Sequence, residues 1–255
     1  MSPVELTFES RGTGAPVLFA HAIGYDRSLW DRALPHLPPD RSALLVDLRG
    51  HGRSPAPPGP YTVEMLADDC AALLDLLGID ATDFVGLSLG GMVGQAFALR
   101  HPRRLRRLVL ANTSSGYGPE AHVVWDARKK LVREGGMRAI RELAVTRGFS
   151  EEFRAQHPEV VAAAMAPVMA CPVEGYAGCC DAIAALDLTA QLPRIAAPTL
   201  AIAGSLDAGT PVEMLRGIAA AIPGAQLAVI EGAAHISVVE KPLEFARLVR
   251  EFLEV

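Results

Sequence analysis

The chain has 255 residues, of which half are hydrophobic and 21% are charged. This composition is typical of a globular protein with a sizeable core and excludes general disorder. The formal net charge of −5 at pH 7 favours neither nucleic acid nor an anionic membrane as a partner. The N-terminal residues lack the layout of a secretory signal, and no stretch reaches the roughly 18 uninterrupted apolar residues of a membrane span. We therefore predict a cytoplasmic protein without a nucleic-acid or membrane partner; its oligomeric state stays open, and a homo-oligomer is compatible with the sequence.

The four cysteines are Cys70, Cys171, Cys179 and Cys180. Their spacing matches no metal-binding or redox motif of the CxxC kind, and adjacent cysteines rarely form a disulfide with each other. We therefore predict reduced thiols and no bound metal. Since no haem or nucleotide motif is visible either, the sequence implies no cofactor.

Short apolar runs alternate with helical patterns along most of the chain. The predicted strands cover residues 16–20, 43–47, 82–87, 106–111, 198–203 and 225–230. Their nearly continuous apolar character is typical of a parallel sheet covered on both faces. The predicted helices cover residues 62–77, 88–100 and 241–253, the last with Pro242 in its first turn. This alternation with short connections predicts an α/β fold, with a mostly parallel open sheet and helices on both faces.

The region from 116 to 190 interrupts this alternation, because it contains several helical patterns and no convincing strand. Breaks between short helices are predicted at Gly135-Gly136, Pro158, Pro167 and Pro172. The chain returns to the sheet afterwards, so a separate helical domain of unrelated function is less favoured than an insertion. Such an insertion is expected to cover the carboxyl edge of the sheet, where open α/β folds bind ligands. We therefore predict a core of residues 1–115 and 191–255 and a helical cap of residues 116–190.

The segment Gly86-Leu87-Ser88-Leu89-Gly90 stands between a predicted strand and a predicted helix. A serine in such a turn lies above the sheet edge in a strained backbone conformation, so the residues two positions before and two positions after it must be small. The first N–H groups of the following helix, that of Leu89 among them, can then stabilise an oxyanion. The alternative, a glycine-rich phosphate loop, lacks both the GxGxxG spacing and the GK[ST] ending. The motif therefore predicts Ser88 as a nucleophile.

A serine hydroxyl needs a general base, because almost no alkoxide forms at neutral pH. His235 directly follows the last predicted strand and therefore lies at the same sheet edge as Ser88. Asp207 follows the preceding strand of the core and is predicted to orient the imidazole. The loop that begins at Asn112 carries no carboxylate, and Asp187 at the end of the predicted cap is expected to cap a turn. The chain order Ser, Asp, His differs from the orders of the trypsin-like and subtilisin-like proteases.

A second oxyanion donor is expected from the loop after the first predicted strand. This loop reads His21-Ala22-Ile23-Gly24, and the backbone N–H of Ile23 is the candidate. His21 is then a scaffold residue beside the loop and not a base.

Several stretches match a known family over nearly the full length. They include AHAIGYDRSLWD, VDLRGHGRSPAPPGPYT, VGLSLGGMVGQAFALRHP, LVLANTSS, GYAGCCDAIAALDL and IAAPTLAIAG. The chain resembles the α/β-hydrolase superfamily, and within it the 3-oxoadipate enol-lactonases of aromatic catabolism. The resemblance implies an α/β-hydrolase fold with a helical cap and a structural role for Arg49 and His51 in the RGHGRS turn. The loop at His21 departs from the Asn-Ser-Leu-Gly type loop of those lactonases and is closer to that of many esterases.

An enol-lactone with a carboxylate side arm requires a cation in the pocket. The predicted cap offers Arg128, Arg133, Arg138 and Arg147, with Trp125 as a wall. Trp125 and Arg128 lie on one helical face, so we predict these two as the substrate-binding pair.

Two classes of function are compatible with these residues. The favoured one is a carboxylic ester hydrolase that opens a small anionic lactone, most simply 3-oxoadipate enol-lactone, through an acyl-enzyme on Ser88. A general carboxylesterase of small aryl or alkyl esters, a perhydrolase and a carbon–carbon hydrolase could use the same three residues. The other class is a non-catalytic ligand receptor, which the presence of all three residues disfavours.

Overall fold

The computed structural model of the protein describes residues 2–37 and 40–254. Its sheet is built from the strands β1 (Phe8–Arg11), β2 (Ala15–Ala20), β3 (Arg41–Val46), β4 (Thr82–Leu87), β5 (Leu105–Ala111), β6 (Thr199–Gly204) and β7 (Gln226–Ile230). Their order across the sheet is β1-β3-β2-β4-β5-β6-β7. β1 pairs antiparallel with β3, and the other neighbours pair in parallel. The prediction of a mostly parallel open sheet is therefore confirmed.

Six of the strands lie within two residues of their predicted bounds. Five of them contain runs of at least four buried residues, whereas in the sixth, β7, only Ile230 is buried. β4 and β6 are buried at every position, as a strand in the middle of a covered parallel sheet must be. Sequence reasoning missed β1, whose four residues FESR are partly or fully exposed. A short edge strand needs no apolar run, so hydrophobic periodicity does not reveal it.

The α-helices of the described chain are α1 (Val63–Leu76), α2 (Leu89–Arg100), α3 (Ala121–Gly135), α4 (Arg141–Gly148), α5 (Glu151–Gln156), α6 (Pro158–Ala170), α7 (Val173–Ala184), α8 (Val212–Ala221), α9 (Ser237–Glu240) and α10 (Pro242–Glu254). α1 begins after Thr62, whose hydroxyl accepts a hydrogen bond from the N–H of Met65 at 3.2 Å, as an N-cap does. α10 begins at Pro242, a position where the missing N–H costs nothing. The three helices predicted outside the insertion correspond to α1, α2 and α10, with bounds that agree within one residue.

The predicted insertion contains α3 to α7 between β5 and β6. Gly135 ends α3, Pro158 begins α6, and Pro172 stands just before α7. Pro167 was expected to break the chain, but it lies inside α6. It falls in the last turns of that helix, where the ring costs one backbone hydrogen bond and the helix ends three residues later.

The two ends of the insertion are joined to each other. Gly116 forms an isolated antiparallel bridge with Asp187, and the N–H of Leu188 donates to the carbonyl of Ser115 at 2.7 Å. The hydroxyls of Ser115 and Thr189 are 2.9 Å apart. The insertion therefore leaves and re-enters the core at one closed neck, while its division as a separate cap over residues 116–190 stays a prediction.

Cys70, Cys171, Cys179 and Cys180 are all buried and free, as predicted for reduced thiols. Among residues 2–37 and 40–254, no single helix has the length and apolar character needed to cross a membrane. The consecutive helices α6 and α7 reach that length and composition only as a pair, with a bend of 94° between them.

Two histidines in edge-to-face contact hold the loops at the carboxyl edge of the sheet. The rings of His21 and His51 are fully buried, with centroids 5.0 Å apart. His21 Nε2 accepts a hydrogen bond from the N–H of Leu48, and His51 Nε2 accepts one from the N–H of Gly24, both at 2.9 Å. A backbone N–H can only donate, so both Nε2 atoms are unprotonated and both rings are neutral.

The neutral histidine pair makes the stability of the fold pH-dependent. Burial is the main cause that lowers the pKa of His21 to about 4, and burial together with the neighbouring His21 ring lowers the pKa of His51 to about 3. In the unfolded chain both residues titrate near a pKa of about 6.5. Between these values the unfolded chain binds more protons than the folded one. We therefore expect the free energy of unfolding to fall between pH 7 and pH 4, by about 2–3 kcal/mol for each histidine.

Urea unfolding across this pH range measures the effect. His21→Gln, which keeps an acceptor but does not titrate, should reduce the slope of stability against pH, whereas His122→Gln at an exposed position should leave it unchanged. Equal slopes in the wild type and His21→Gln would show that the buried pair does not carry the acid sensitivity.

Candidate active site

The turn between β4 and α2 holds Ser88 in a strained conformation, with φ 56° and ψ −113°. A positive φ is rare for serine and is kept only where the surroundings enforce it. Two close backbone approaches require glycine here. A Cβ on Gly86 would lie 2.2 Å from the carbonyl oxygen of Gly90, and one on Gly90 would lie 1.9 Å from that of Ala20. The N–H of Ser88 donates to the carbonyl of Ala111 at 2.9 Å, which ties the turn to β5.

The structure brings the three predicted catalytic side chains together from three loops. Ser88 Oγ is 2.9 Å from His235 Nε2, and His235 Nδ1 is 2.8 Å from Asp207 Oδ2. Ser88 and Asp207 are buried, and the His235 side chain is 18% exposed. A continuous hydrogen-bonded chain therefore runs from an accessible hydroxyl to a buried carboxylate.

Asp207 is held as a carboxylate by its hydrogen bonds. Its Oδ1 accepts from the N–H groups of Gly209 and Thr210 at 2.8 and 2.9 Å. Its Oδ2 accepts from the Thr210 hydroxyl at 2.6 Å and from Asn112 Nδ2 at 3.0 Å, beside His235. Burial alone would raise the pKa of Asp207, but His235 and the Thr210 donors outweigh it and hold the pKa well below its usual value. An ionised carboxylate only accepts, so His235 Nδ1 carries the proton and Nε2 is free to accept one from Ser88.

Sequence reasoning missed the part that Asn112 plays in this arrangement. Asn112 stands directly after β5 with φ 45°, and its amide lies between the carboxylate loop and the histidine loop. Its Nδ2 donates to Asp207 and its Oδ1 accepts from the Ser237 hydroxyl at 2.6 Å. A polar residue immediately after a buried strand was the only available signal, since the partners come from distant loops.

The two predicted oxyanion donors are left unused by the surrounding backbone. The N–H of Gly24 donates to His51, and the N–H of Gly90 donates to the carbonyl of His21 at 3.1 Å. Ile23 directly precedes Gly24, and Leu89 directly precedes Gly90. In the described part of the chain, the N–H groups of Ile23 and Leu89 have no protein acceptor. Ile23 and Ser88 line the same pocket. Both donors are therefore available to a ligand at the serine.

The pocket above Ser88 is walled by the insertion. Trp125, Ile140, Leu143, Val168, Tyr176 and Ile183 supply much of its apolar lining. Arg128 and Arg147 also line it, whereas Arg133 pairs with Glu174 at the exposed surface at 2.8 Å. Arg138 is exposed and lies outside the lining. Two of the four candidate arginines therefore reach the pocket, together with the predicted Trp125.

Arg128 is the more enclosed of the two pocket cations. It is half-buried, and its guanidinium carbon lies 4.3 Å from the centre of the Trp125 ring, within the range of a cation–π interaction. Arg147 is exposed at the rim beside Gly209. Within the described residues neither guanidinium has a carboxylate partner. Burial raises the pKa of Tyr117 to about 12 and that of Tyr176 further, so the pocket phenols stay neutral.

Among residues 2–37 and 40–254 there is no group of three or more histidine, cysteine, aspartate or glutamate side chains placed to hold a metal ion. What the described site offers is a hydroxyl, an imidazole, a carboxylate and two unused N–H groups. This set can carry out nucleophilic acyl transfer.

Comparison with known proteins places this chain in a family. Residues 15–151, just over half of the chain, match the family model for the alpha/beta hydrolase fold. The chain is 37% identical to 3-oxoadipate enol-lactonase 2 of Acinetobacter baylyi over 93% of its own length and 88% of that protein.

Two solved structures are similar over nearly the whole chain. The enol-lactonase of Burkholderia xenovorans is 35% identical with a TM-score of 0.94, over 98% of this chain and 96% of that one. A thermophilic esterase of Thermogutta terrifontis, solved with malate bound, is also 35% identical with a TM-score of 0.94, over 98% and 93% of the two chains. The predicted resemblance, the predicted fold and the predicted class of enzyme are confirmed. The chain belongs to the α/β-hydrolase family and is an ester hydrolase that resembles the enol-lactonases.

Proposed function

We propose that the protein opens a small anionic lactone, 3-oxoadipate enol-lactone or a close analogue, through an acyl-enzyme on Ser88. The observation that carries the proposal is the half-buried guanidinium of Arg128 in the pocket above the serine, without a carboxylate partner among the described residues. A half-buried cation without a carboxylate partner is placed to bind an anionic group, and the carboxylate of the substrate supplies that charge. The similarity to enol-lactonases in sequence and structure supports the same substrate class.

In the first step Ser88 Oγ attacks the lactone carbonyl carbon while its proton passes to His235 Nε2. The carbonyl oxygen becomes an oxyanion and accepts hydrogen bonds from the N–H groups of Ile23 and Leu89. The ring carbon–oxygen bond then breaks, and His235 returns the proton to the leaving enolate oxygen. The released enol tautomerises to the ketone, which leaves the acyl chain esterified to Ser88.

In the second step a water molecule is the nucleophile. His235 accepts a proton from the water as it attacks the acyl carbon, and the same two N–H groups hold the second oxyanion. The bond to Ser88 Oγ breaks, and the serine recovers its proton from His235. Asp207 stays ionised throughout and stabilises the imidazolium that forms twice in the cycle.

A general carboxylesterase is the second candidate. The apolar part of the pocket wall, formed by residues such as Ile140, Leu143 and Val168, would accept a small aryl or alkyl ester. The similarity to the Thermogutta esterase supports this possibility. A substrate panel of the enol-lactone, γ-lactones and p-nitrophenyl esters of increasing length separates the two: a kcat/KM that is highest for neutral esters would replace the lactonase proposal with the esterase.

Ser88→Ala removes the proposed nucleophile. We expect kcat to fall by about 10⁶-fold, because only oxyanion stabilisation and binding then remain. Labelling with a fluorophosphonate should stop as well. Stopped-flow hydrolysis and intact-mass spectrometry measure these effects, with Ser10→Ala at an exposed position on β1 as the matched control. Turnover by Ser88→Ala at the wild-type rate would contradict the mechanism, and a wild type that is labelled by no such probe would favour a receptor.

Arg128→Ala removes the proposed anchor for the substrate carboxylate. We expect kcat/KM for the anionic lactone to fall by about 10- to 100-fold, mainly through KM, because a hydrogen bond to a charged group contributes about 1.5–3 kcal/mol. Hydrolysis of neutral p-nitrophenyl acetate should change by less than about twofold. Arg138→Ala, on the same insertion but outside the pocket, is the control. Equal losses on the charged and the neutral substrate would show that Arg128 supports the pocket and does not bind the carboxylate.

A further inference from the structure

The loop that carries the Ile23 N–H is a tight turn with a specific backbone requirement. The N–H of Tyr25 donates to the carbonyl of Ala22 at 3.1 Å, and Gly24 has φ +84°. A closed four-residue turn with a left-handed third residue is of the type II kind, in which the central peptide is flipped relative to a type I turn. The N–H of the central peptide belongs to Gly24 and takes no part in the hydrogen bond that closes the turn, so it needs an outside contact to accept it.

That outside contact is the ring of His51. Its Nε2 accepts the N–H of the central peptide at 2.9 Å, and its Nδ1 donates to the carbonyl of Arg49 at 3.1 Å. His51 is fully buried, so no water can replace it as the acceptor.

The position of the ring is itself fixed by the turn around it. Arg49 forms two hydrogen bonds to the carboxylate of Asp69, at 2.7 and 2.6 Å. The N–H of His51 donates to the carbonyl of Leu48, and that of Gly50 to the carbonyl of Pro55, both at 2.9 Å. This turn lies after β3, whereas the loop it supports lies after β2, so the ring joins two neighbouring strand ends.

A second contact holds the other side of the loop. His21, one residue before the turn, accepts the N–H of Leu48 on its ring and the N–H of Gly90 on its carbonyl, at 2.9 and 3.1 Å. The histidine pair therefore links the loop both to the RGHGRS turn and to the first turn of α2, where Leu89 lies.

We propose that His51 is a positioning residue for the oxyanion site: by accepting the N–H of Gly24 it anchors the turn from Ala22 to Tyr25, and so holds in place the backbone that presents the Ile23 N–H to the reacting carbonyl. His51 touches no reacting atom in this arrangement. The proposal rests on the proposed serine mechanism, because it concerns one of the two donors to its oxyanion. Removing the contact is therefore expected to lower kcat, which depends on stabilisation of the transition state, and to leave KM nearly unchanged.

His51→Phe keeps a ring of similar shape and removes the acceptor, whereas His51→Gln restores an acceptor oxygen near the position of Nε2. We expect kcat of His51→Phe to fall by about 10- to 100-fold, below the loss of about 10²–10³ that follows removal of a whole oxyanion donor, with KM changed by less than about twofold. Affinity for a boronic acid that forms a tetrahedral adduct on the serine should fall by the same factor. His51→Gln should recover kcat to within about threefold of the wild type.

His101→Phe is the matched control, because it also removes a ring hydrogen bond, from Nε2 to Asp68 at 2.8 Å, but between α1 and α2. It should lower thermal stability without lowering kcat. If His51→Phe does not fold, as judged by circular dichroism, His51→Met takes its place as the acceptor-poor variant. Equal kcat values for the acceptor-poor variant and His51→Gln, or a loss of kcat without a matching loss of boronic acid affinity, would overturn the proposal.

Fluorophosphonate labelling distinguishes a failure of the proposed role of His51 from a failure of the serine mechanism. If wild-type Ser88 is not labelled, the serine mechanism fails and the proposal for His51 fails with it. If wild-type Ser88 is labelled and the acceptor-poor variant is labelled at the same rate, the mechanism stands and the positioning role of His51 is wrong.

Discussion

The backbone strain at Ser88 is the constraint on which the rest of the site depends. A φ of 56° at a non-glycine residue has to be enforced from outside, and the enforcement comes from contacts too close for any side chain. Because Gly90 passes directly beside the end of β2, α2 begins at a fixed distance from the loop that follows this strand. One close contact, between Gly90 and the end of β2, therefore fixes three parts of the site relative to one another. These parts are the serine, the first free N–H of α2 and the loop that carries Ile23.

The remaining groups depend on strand order. β5, β6 and β7 lie in sequence beside β4, so the loops that follow them open at the same edge as the serine turn. This arrangement brings Asn112, Asp207 and His235 together, although up to 147 residues separate the members of one hydrogen bond. Each of these loops carries one of the side chains, and the order of the strands in the sheet places the loops next to one another. The chemistry is thus set by the core, while the insertion supplies the lining that meets the substrate.

Much of the fold and the three central side chains could be predicted from the sequence, because buried parallel strands have continuous apolar runs and each of the three residues follows such a run. The role of Asn112 could not be predicted, because its hydrogen-bond partners, Asp207 and Ser237, lie on two loops that are distant in the sequence. His51 was expected to be structural, but its contact with Gly24 depends on how two strand ends lie relative to each other. Pro167 was misjudged because a proline late in a helix costs one hydrogen bond and does not end the helix at once.

The closed neck of the insertion has a consequence for how such an enzyme can diverge. The bridge between Gly116 and Asp187 and the hydrogen bond from Leu188 to Ser115 hold the two chain ends together whatever lies between them. Helices in the segment can therefore be lengthened, shortened or exchanged without altering the register of β5 and β6. A graft made at this neck would exchange the part of the pocket wall that the insertion supplies and leave the hydrogen-bonded chain of Ser88, His235 and Asp207 in place.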